Sequence, residues 1–263
     1  MSDAPAPLGV LDWGIGGLDV VRKLRRAGEH RPVLYASDAG APPYGTLGDE
    51  ALAARVSAVI TALVGHGCRD VLVGCNAAST VLDHPALRVP AEVAVHGVIA
   101  PAVAEVLARR DTDVLVIGGA RTIASAAYAS ALEPRGVRVR SRVAQPLSAL
   151  IEAGVLQGPR LRACLDAILE PVRDATVLVS ACTHYLAVES ALREALPRLQ
   201  HVVDPADALV RSRTPSPSCG NGGRDRFWTT GDPAASQRAA AAAFGMQTPF
   251  EAAGTRLPQP ADA

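Results

Sequence analysis

Short apolar runs alternate with helix-length segments along most of the chain, and this alternation limits the fold more than any other feature of the sequence. The runs are typical of buried β-strands and lie at residues 8–11, 33–36, 71–73, 93–95, 114–117, 137–139 and 177–179. The intervening and following segments predict helices at residues 18–24, 50–64, 101–110, 160–172 and 233–244. Strands that alternate with helices form a mostly parallel sheet with helices on both faces. The sequence therefore predicts an α/β fold.

The length of the chain favours two lobes. With 263 residues, of which 49% are hydrophobic, the chain is longer than one average domain and can fill two small cores. Residues 211–226 are rich in Pro, Ser, Gly, Asn and Arg, a composition that predicts a surface loop. We expect the residues after the last predicted helix to form a frayed tail.

The charge balance excludes some classes of partner. Lys plus Arg and Asp plus Glu both total 26, so the formal net charge is zero. Such a chain produces no long-range field that would attract nucleic acid or anionic lipid, and we predict neither nucleic acid nor a membrane as a partner. The sequence contains no apolar run of spanning length and no signal-peptide pattern at residues 1–7, which predicts a cytoplasmic protein.

Two of the five cysteines occupy similar places after predicted strands. Cys75 follows the strand at residues 71–73 and precedes Asn76, and Cys182 follows the strand at residues 177–179 and precedes Thr183. The carboxyl ends of parallel strands form the ligand crevice of an open sheet. Two lobes that face each other would therefore present both thiols to one cleft. The absence of a CxxC pair predicts free thiols in a reducing compartment.

A thiolate and a thiol on opposite sides of a substrate can move a proton between the two faces of a carbon next to a carboxylate. An unperturbed cysteine has a pKa of ~8.5, and a positive neighbour or a helix N-terminus favours its thiolate. The alternative is that Cys75 and Cys182 are simply small apolar residues, the usual role of a cysteine. We expect that role for Cys68 and Cys164, which lack the strand-end setting, and place Cys219 in the exposed loop.

Two further residues could assist a thiol. His184 lies two positions after Cys182, close enough to exchange a proton with the thiol or to orient it. Asp12 ends the first predicted strand, where a carboxylate could bind an ammonium group or raise the basicity of a thiol. Each residue also has an ordinary alternative, as a structural histidine and as an acid in a glycine turn.

The glycines after Asp12 do not form a dinucleotide fingerprint. In the pattern that begins at Gly14 and Gly16, the third glycine of GxGxxG would fall on Asp19. The sequence has no P-loop pattern, and its histidines are scattered without HExxH spacing. We therefore predict no cofactor and no metal.

Four motifs then occur in a specific order. They are Leu-Asp-Trp-Gly-Ile-Gly-Gly-Leu at residues 11–18, Pro-Tyr-Gly at 43–45, Cys-Asn-Ala-Ala at 75–78 and Cys-Thr-His-Tyr at 182–185. Further matches lie at residues 97–101, 122–128, 203–206 and 230–232. Together they cover nearly the whole chain and resemble the motifs of glutamate racemase, in the aspartate/glutamate racemase family.

The resemblance implies two pseudo-symmetric lobes, each a mostly parallel sheet flanked by helices, with the active site between them. The second lobe, residues 98–207, is inserted into the first, residues 1–97 plus 208–263. The resemblance also implies a cofactor-independent amino-acid racemase, with glutamate as the best-matched substrate and D-glutamate for peptidoglycan as the product. It further implies a homodimer.

The resemblance also implies roles for individual residues. Cys75 takes the proton from the D-isomer, Cys182 takes it from the L-isomer, and Asp12 and His184 assist them. Glu152 is implied as a further assisting acid, although its segment is one residue shorter than in the family. The implied substrate-binding positions are Asp12, Trp13, Pro43, Tyr44, Gly45, Asn76, Ala77, Thr122 and Thr183.

Three positions depart from the family pattern. Trp13 replaces a usual serine, and Ala77 and Gly119 each replace a usual threonine. Each lost hydroxyl could cost ~0.5–1.5 kcal/mol of substrate binding. Two alternatives therefore stay open, a two-thiol racemase or isomerase for another amino acid or small carboxylic acid, and a non-catalytic relative that binds a metabolite or a protein. The Trp13 indole either turns into the lobe interface or reshapes the pocket.

Overall fold

The strands form two separate sheets, each with helices around it, in a computed structural model that describes residues 6–214 and 224–253. The strands are β1 Leu8–Asp12, β2 Val33–Ser37, β3 Asp70–Val73, β4 Ala94–Gly97, β5 Asp113–Gly118, β6 Arg138–Val143, β7 Val177–Ala181, β8 His201–Val203, β9 Arg226–Thr229 and β10 Phe250–Ala252. The α-helices are α1 Leu18–Arg26, α2 Asp49–Gly65, α3 Asn76–Ser79, α4 Ile99–Arg109, α5 Ala120–Ala124, α6 Ala127–Leu132, α7 Gln145–Glu152, α8 Pro159–Leu169, α9 Glu189–Ala195, α10 Pro205–Arg211 and α11 Pro233–Phe244.

The first sheet has the order β10-β9-β2-β1-β3-β4, and the second has the order β6-β5-β7-β8. Every pairing between neighbouring strands is parallel. The first sheet combines strands from both ends of the chain, whereas the strands of the second lie between them in sequence. The insertion of the second lobe into the first, with the bounds given above, stays a prediction.

Helices cover both faces of each sheet, so the central strands are apolar at successive positions. β1, β2 and β7 are buried at every residue. In the first sheet, one face packs against α2 and the other against α1, α10 and α11. In the second, α7, α8 and α9 cover one face and α4 and α6 the other. Cys68 is buried in the first core and Cys164 is half-buried against the second, as expected.

Side-chain caps begin the last two helices. The carboxylates of Asp204 and Asp232 accept hydrogen bonds from Ala206 N and Ala234 N, each at 2.9 Å. In both helices a proline follows the cap, where its fixed φ and missing N–H suit the first helical position.

The α/β prediction is confirmed, and each predicted strand overlaps an observed one. Three strands, β8, β9 and β10, were not predicted. The loop predicted at residues 211–226 was wrong at both ends, because Arg211 ends α10 and Arg226 begins β9. Similarly, β10 lies in the segment expected to be a frayed tail. The rest of the predicted loop, with Cys219, falls largely outside the described residues. No helix in the parts of the chain that the structure describes combines the length and apolarity needed to cross a bilayer.

Candidate active site

A cavity of about 370 Å³ lies where the carboxyl ends of β1 and β3 face those of β5 and β7. All of the site residues predicted from the sequence line it: Asp12, Trp13, Pro43, Tyr44, Gly45, Cys75, Asn76, Ala77, Thr122, Glu152, Cys182, Thr183 and His184. Gly119, one of the three departures from the family pattern, also lines it, together with six residues that were not predicted as site residues: Thr46, Ala120, Arg121, Gln145, Ser148 and Ala181. The fold therefore brings both strand-end thiols to one cavity.

The turn after β1 holds the Asp12 carboxylate in a fixed position. Asp12 is 2% exposed, and its oxygens accept hydrogen bonds from Trp13 N at 2.8 Å and Gly17 N at 2.6 Å. A Cβ at Gly16 would overlap Thr183 Oγ1, which belongs to the loop after β7. The glycine at this position is needed because the two sides of the cavity touch there.

Cys75 follows β3 and occupies the position just before the short helix α3, without a side-chain capping hydrogen bond. Burial raises the pKa of its thiol well above the ordinary value, and the negative charges of Asp12 and Cys182 raise it further. A backbone N–H, that of Ala78, acts in the opposite direction but does not offset burial. Cys75 therefore carries its proton at neutral pH.

Cys182 follows β7 and contacts two polar side chains. Its Sγ lies 3.7 Å from His184 Nδ1 and 3.8 Å from Ser148 Oγ. Burial lowers the pKa of His184, but the hydrogen bond and charge of Cys182, together with the charges of Asp12 and Glu152, raise it overall to about 9. The imidazole is therefore protonated at neutral pH, and a thiolate on Cys182 would lie beside an imidazolium.

Glu152 approaches the other nitrogen of the same imidazole. His184 Nε2 lies 3.4 Å from Glu152 Oε1, a distance that suits an ion pair but does not meet hydrogen-bond geometry. Ser148 and Glu152 both lie on α7, and Gln145 begins the same helix. Their spacing of i, i+3 and i+7 places them on one helix face, a periodicity that could have identified Gln145 and Ser148 from the sequence.

The Trp13 indole forms part of the cavity wall. It is half-buried, packs against the core of the first sheet, and donates a hydrogen bond from Nε1 to Ala41 O at 3.1 Å. Of the two orientations considered for the ring, the structure has the one that shapes the pocket. The hydrogen bond to Ala41 fixes the ring in that place.

Asn76 presents a buried amide to the cavity. Its Oδ1 accepts a hydrogen bond from Tyr128 Oη at 2.7 Å, whereas its Nδ2 has no partner within the described ranges. An unpaired buried donor is costly unless a ligand or water satisfies it. The Tyr44 hydroxyl, in contrast, is used within the protein, because it donates to Asp38 Oδ2 at 2.8 Å.

Arg121 connects the two sides of the cavity. From α5, beside the second sheet, its guanidinium donates to Leu47 O at 2.5 Å, Asp49 Oδ1 at 2.6 Å and Thr80 Oγ1 at 3.3 Å. All three acceptors lie in the loops and helices that connect β2, β3 and β4 of the first sheet. No local sequence pattern indicates this role, because the contact depends on how the two sheets face each other.

The described residues offer no recognisable metal centre, since within residues 6–214 and 224–253 no three His, Cys, Asp or Glu side chains are grouped to hold a metal ion. The absence of a cofactor stays a prediction. The cavity has the protonated thiol of Cys75 on one wall and, on the other, the Cys182 sulfur beside the His184 imidazolium.

The chain matches known racemases over most of its length. The family model described as Asp/Glu/Hydantoin racemase matches residues 8–212. The glutamate racemase of Deinococcus radiodurans is 35% identical over 243 residues, covering 87% of this chain and 83% of that protein. The glutamate racemase of Pseudomonas paraeruginosa is 31% identical over 261 residues, covering 94% and 97%.

Solved structures agree in fold. The glutamate racemase of Thermus thermophilus in complex with beta-chloro-D-alanine has a TM-score of 0.82 and 28% identity, covering 97% of this chain and 99% of that one. A glutamate racemase of Bacillus anthracis, at 22% identity, has a TM-score of 0.85 and supports the fold.

These matches confirm the resemblance, the fold and the prediction of a racemase with a small amino-acid substrate, and they leave the non-catalytic alternative without support. The family model spans most of the chain, and relatives above 30% identity are covered over most of their length. The chain belongs to the Asp/Glu/Hydantoin racemase family.

Proposed function

We propose that this protein interconverts L- and D-glutamate, with Cys75 and Cys182 as the two acid/base groups and without a cofactor. The observation that carries the proposal is the convergence of both cysteines on one cavity, in different electrostatic settings. Glutamate is the substrate named for both curated relatives described above. The Trp13 indole in the cavity wall favours a second candidate, a racemase for a different amino acid.

The electrostatics suggest which thiol acts in which direction. Cys75 is held as a thiol by burial and by nearby negative charge, so it is ready to donate a proton. Cys182 lies beside the protonated His184, which suits a thiolate that takes a proton. In the direction that starts from L-glutamate, which the family resemblance assigns to Cys182, Cys182 removes the α-proton and Cys75 supplies a proton to the opposite face. The reverse reaction begins after the two sulfurs have exchanged protonation states.

The remaining polar groups would hold the substrate and assist the thiols. Asp12 lies close enough to influence both Cys75 and His184, and Glu152 pairs with His184 from the far side. The Asn76 Nδ2 group is a donor suited to the α-carboxylate, because its buried N–H groups would otherwise stay unsatisfied. We further propose that the protein is a cytoplasmic homodimer that supplies D-glutamate for peptidoglycan.

The test is exchange of the substrate α-hydrogen, followed by proton NMR in deuterated water with a panel of single L- and D-amino acids. We expect exchange with glutamate, and a reduction of about a hundredfold or more in Cys75→Ser and in Cys182→Ser, since a positioned acid or base contributes about that much. Cys164→Ser is the matched control, because Cys164 does not line the cavity.

The outcomes separate the candidates. Faster exchange of the α-hydrogen of another amino acid than of glutamate would identify that amino acid as the substrate and reject glutamate. Wild-type exchange rates in either cavity cysteine variant would reject the two-thiol mechanism.

A further inference from the structure

The Gln145 carboxamide occupies space that two glycines leave open in the cavity wall. Gln145 Oε1 accepts a hydrogen bond from Ala120 N at 3.2 Å. A Cβ added at Gly119 would lie 3.0 Å from this oxygen, and one added at Gly45 would lie 3.8 Å from it. The carboxamide therefore lies between segments of the two sheets, and a larger residue at position 119 would compete with it for space.

The orientation of this carboxamide follows from its partner. Ala120 N–H is a donor, so the atom that faces it must be the carbonyl oxygen, and the NH₂ group must point away. Within the described residues, Nε2 donates no hydrogen bond to the protein, and the side chain is exposed at the cavity. Gln145 thus presents two unused N–H donors to a ligand.

Helix α7 sets the distance between this donor and the thiol. Ser148 lies one turn after Gln145 on the same face, about 4.5 Å further along the axis, and its Oγ contacts Cys182 Sγ. The α-carbon of a substrate must lie beside Cys182 for proton transfer. Gln145 is then one helical turn away, a separation comparable to the length of a glutamate side chain.

We propose that Gln145 binds the distal carboxylate of the substrate through Nε2 and contributes to the choice of an acidic amino acid. This inference rests on the proposed function. Carboxylates are acceptors only, and an amide NH₂ whose own oxygen is already bonded offers donors only. Gly119, where the family motif usually has threonine, leaves the room in which the carboxamide of Gln145 lies.

The sharpest variant is Gln145→Glu, because a carboxylate still accepts from Ala120 N but presents an oxygen in place of the NH₂ group. Gln145→Met removes the donor with little change in size. We expect KM for L- and D-glutamate to rise about tenfold for Gln145→Met and up to about a hundredfold for Gln145→Glu, as for a lost hydrogen bond to a charged group. We expect kcat to change much less than KM.

Gln200→Glu makes the same chemical change at an exposed position outside the cavity, and we expect wild-type KM for it. If wild-type protein exchanges the glutamate α-hydrogen but both Gln145 variants keep its KM, the role of Gln145 is rejected and the proposed function stands. If wild-type protein does not act on glutamate, the proposed function itself fails and this inference fails with it.

Gly119 provides an independent check. Its φ of −63° and ψ of 157° suit any residue, so a substitution there introduces no backbone strain. We expect Gly119→Thr alone to raise KM by displacing the carboxamide. In the double variant with Gln145→Ala, the space is free for the threonine hydroxyl, and KM should be lower than in Gln145→Ala alone. Additive increases in KM would contradict a shared space.

Discussion

The His184 imidazole is buried near groups of negative charge. Cys182 contacts Nδ1, Glu152 faces Nε2, and Asp12 adds its field from the turn after β1. Burial alone would lower the pKa of the imidazole, but these neighbours raise it to about 9. The ion pair is therefore part of the folded state, and its contribution to stability must depend on pH.

The direction of that dependence follows from the two pKa values. In the unfolded chain a histidine titrates near about pH 6.5, and folding raises the pKa of His184 to about 9. Its protonated form stabilises the fold fully below about pH 6.5, and this contribution is lost as pH rises through about 9. We expect His184→Gln to lower the free energy of unfolding more at about pH 6 than at about pH 10.

Urea denaturation at several pH values would measure this difference. His30→Gln, at an exposed position, controls for the general effect of replacing a histidine. A loss of stability in His184→Gln that is the same at every pH would contradict the raised pKa.

Residues at strand ends could be identified from the sequence, whereas residues that meet across the cavity could not. Cys75 and Cys182 each follow an apolar strand, and the rule for parallel sheets places such positions at a ligand crevice. Arg121 lies beside the predicted residue Thr122, but its partners are far away in sequence. The place of the Gln145 carboxamide depends on Gly45 and Gly119, which face it from two different segments of the chain. The contacts of Arg121 and of Gln145 both depend on the relative position of the two sheets, which no local pattern in the sequence indicates.

At the scale of elements, α11 shows how a single side chain fixes the start of a helix. Many of its residues are alanines, its Ala240 is buried against the first sheet, and its first turn is capped by Asp232. With 12 residues, α11 is marginal as an isolated helix, and it has few large side chains to pack. The cap is therefore a considerable part of what holds it in place.

We expect Asp232→Ala to lower the free energy of unfolding by about 1 kcal/mol, the usual cost of a lost N-cap. Asp232→Asn is the control, because its carbonyl oxygen still accepts from Ala234 N. Chemical denaturation of the three proteins would measure the effect. An equal loss in both variants would assign it to the carboxylate charge and contradict the capping role.

The three strands that were not predicted, β8, β9 and β10, are short elements at or near the edges of the sheets. β8 and β10 have three residues each, β9 has four, and each of the three contains at least one polar residue, so none has a clear apolar run. Such short segments become strands because a neighbouring strand provides backbone hydrogen-bond partners. β7 does this for β8, and β2 does it for β9. A partner distant in sequence cannot be read from the local pattern.

For the whole molecule, the cavity exists only while the two sheets face each other at short range. Gly16 lies against Thr183, and Arg121 reaches three acceptors on the opposite side. Each thiol is attached to a different sheet, so any opening of the cleft separates them. Residues that hold the cleft closed should therefore affect catalysis even where they do not contact the reacting carbon of the substrate.

We expect Arg121→Met to raise KM for glutamate about tenfold and to lower kcat, because hydrogen bonds from a charged group across the cleft are lost. Asp49→Asn removes only one partner charge, at a side chain that is 70% exposed, and should change KM little. Steady-state α-hydrogen exchange of both variants would test this. Wild-type constants for Arg121→Met would reject its role in closure.

The pairing of β2 with β9 has a consequence for how the newly made chain folds. The strands of the second sheet lie between Asp113 and Val203, so that sheet is complete while later residues are still being synthesised. β2 must wait for Arg226 to Thr229 before its outer edge is covered. Until then the nascent protein carries an open, apolar strand edge, the kind of surface through which chains associate wrongly. Until β9 and β10 are made, the first sheet therefore lacks two of its six strands.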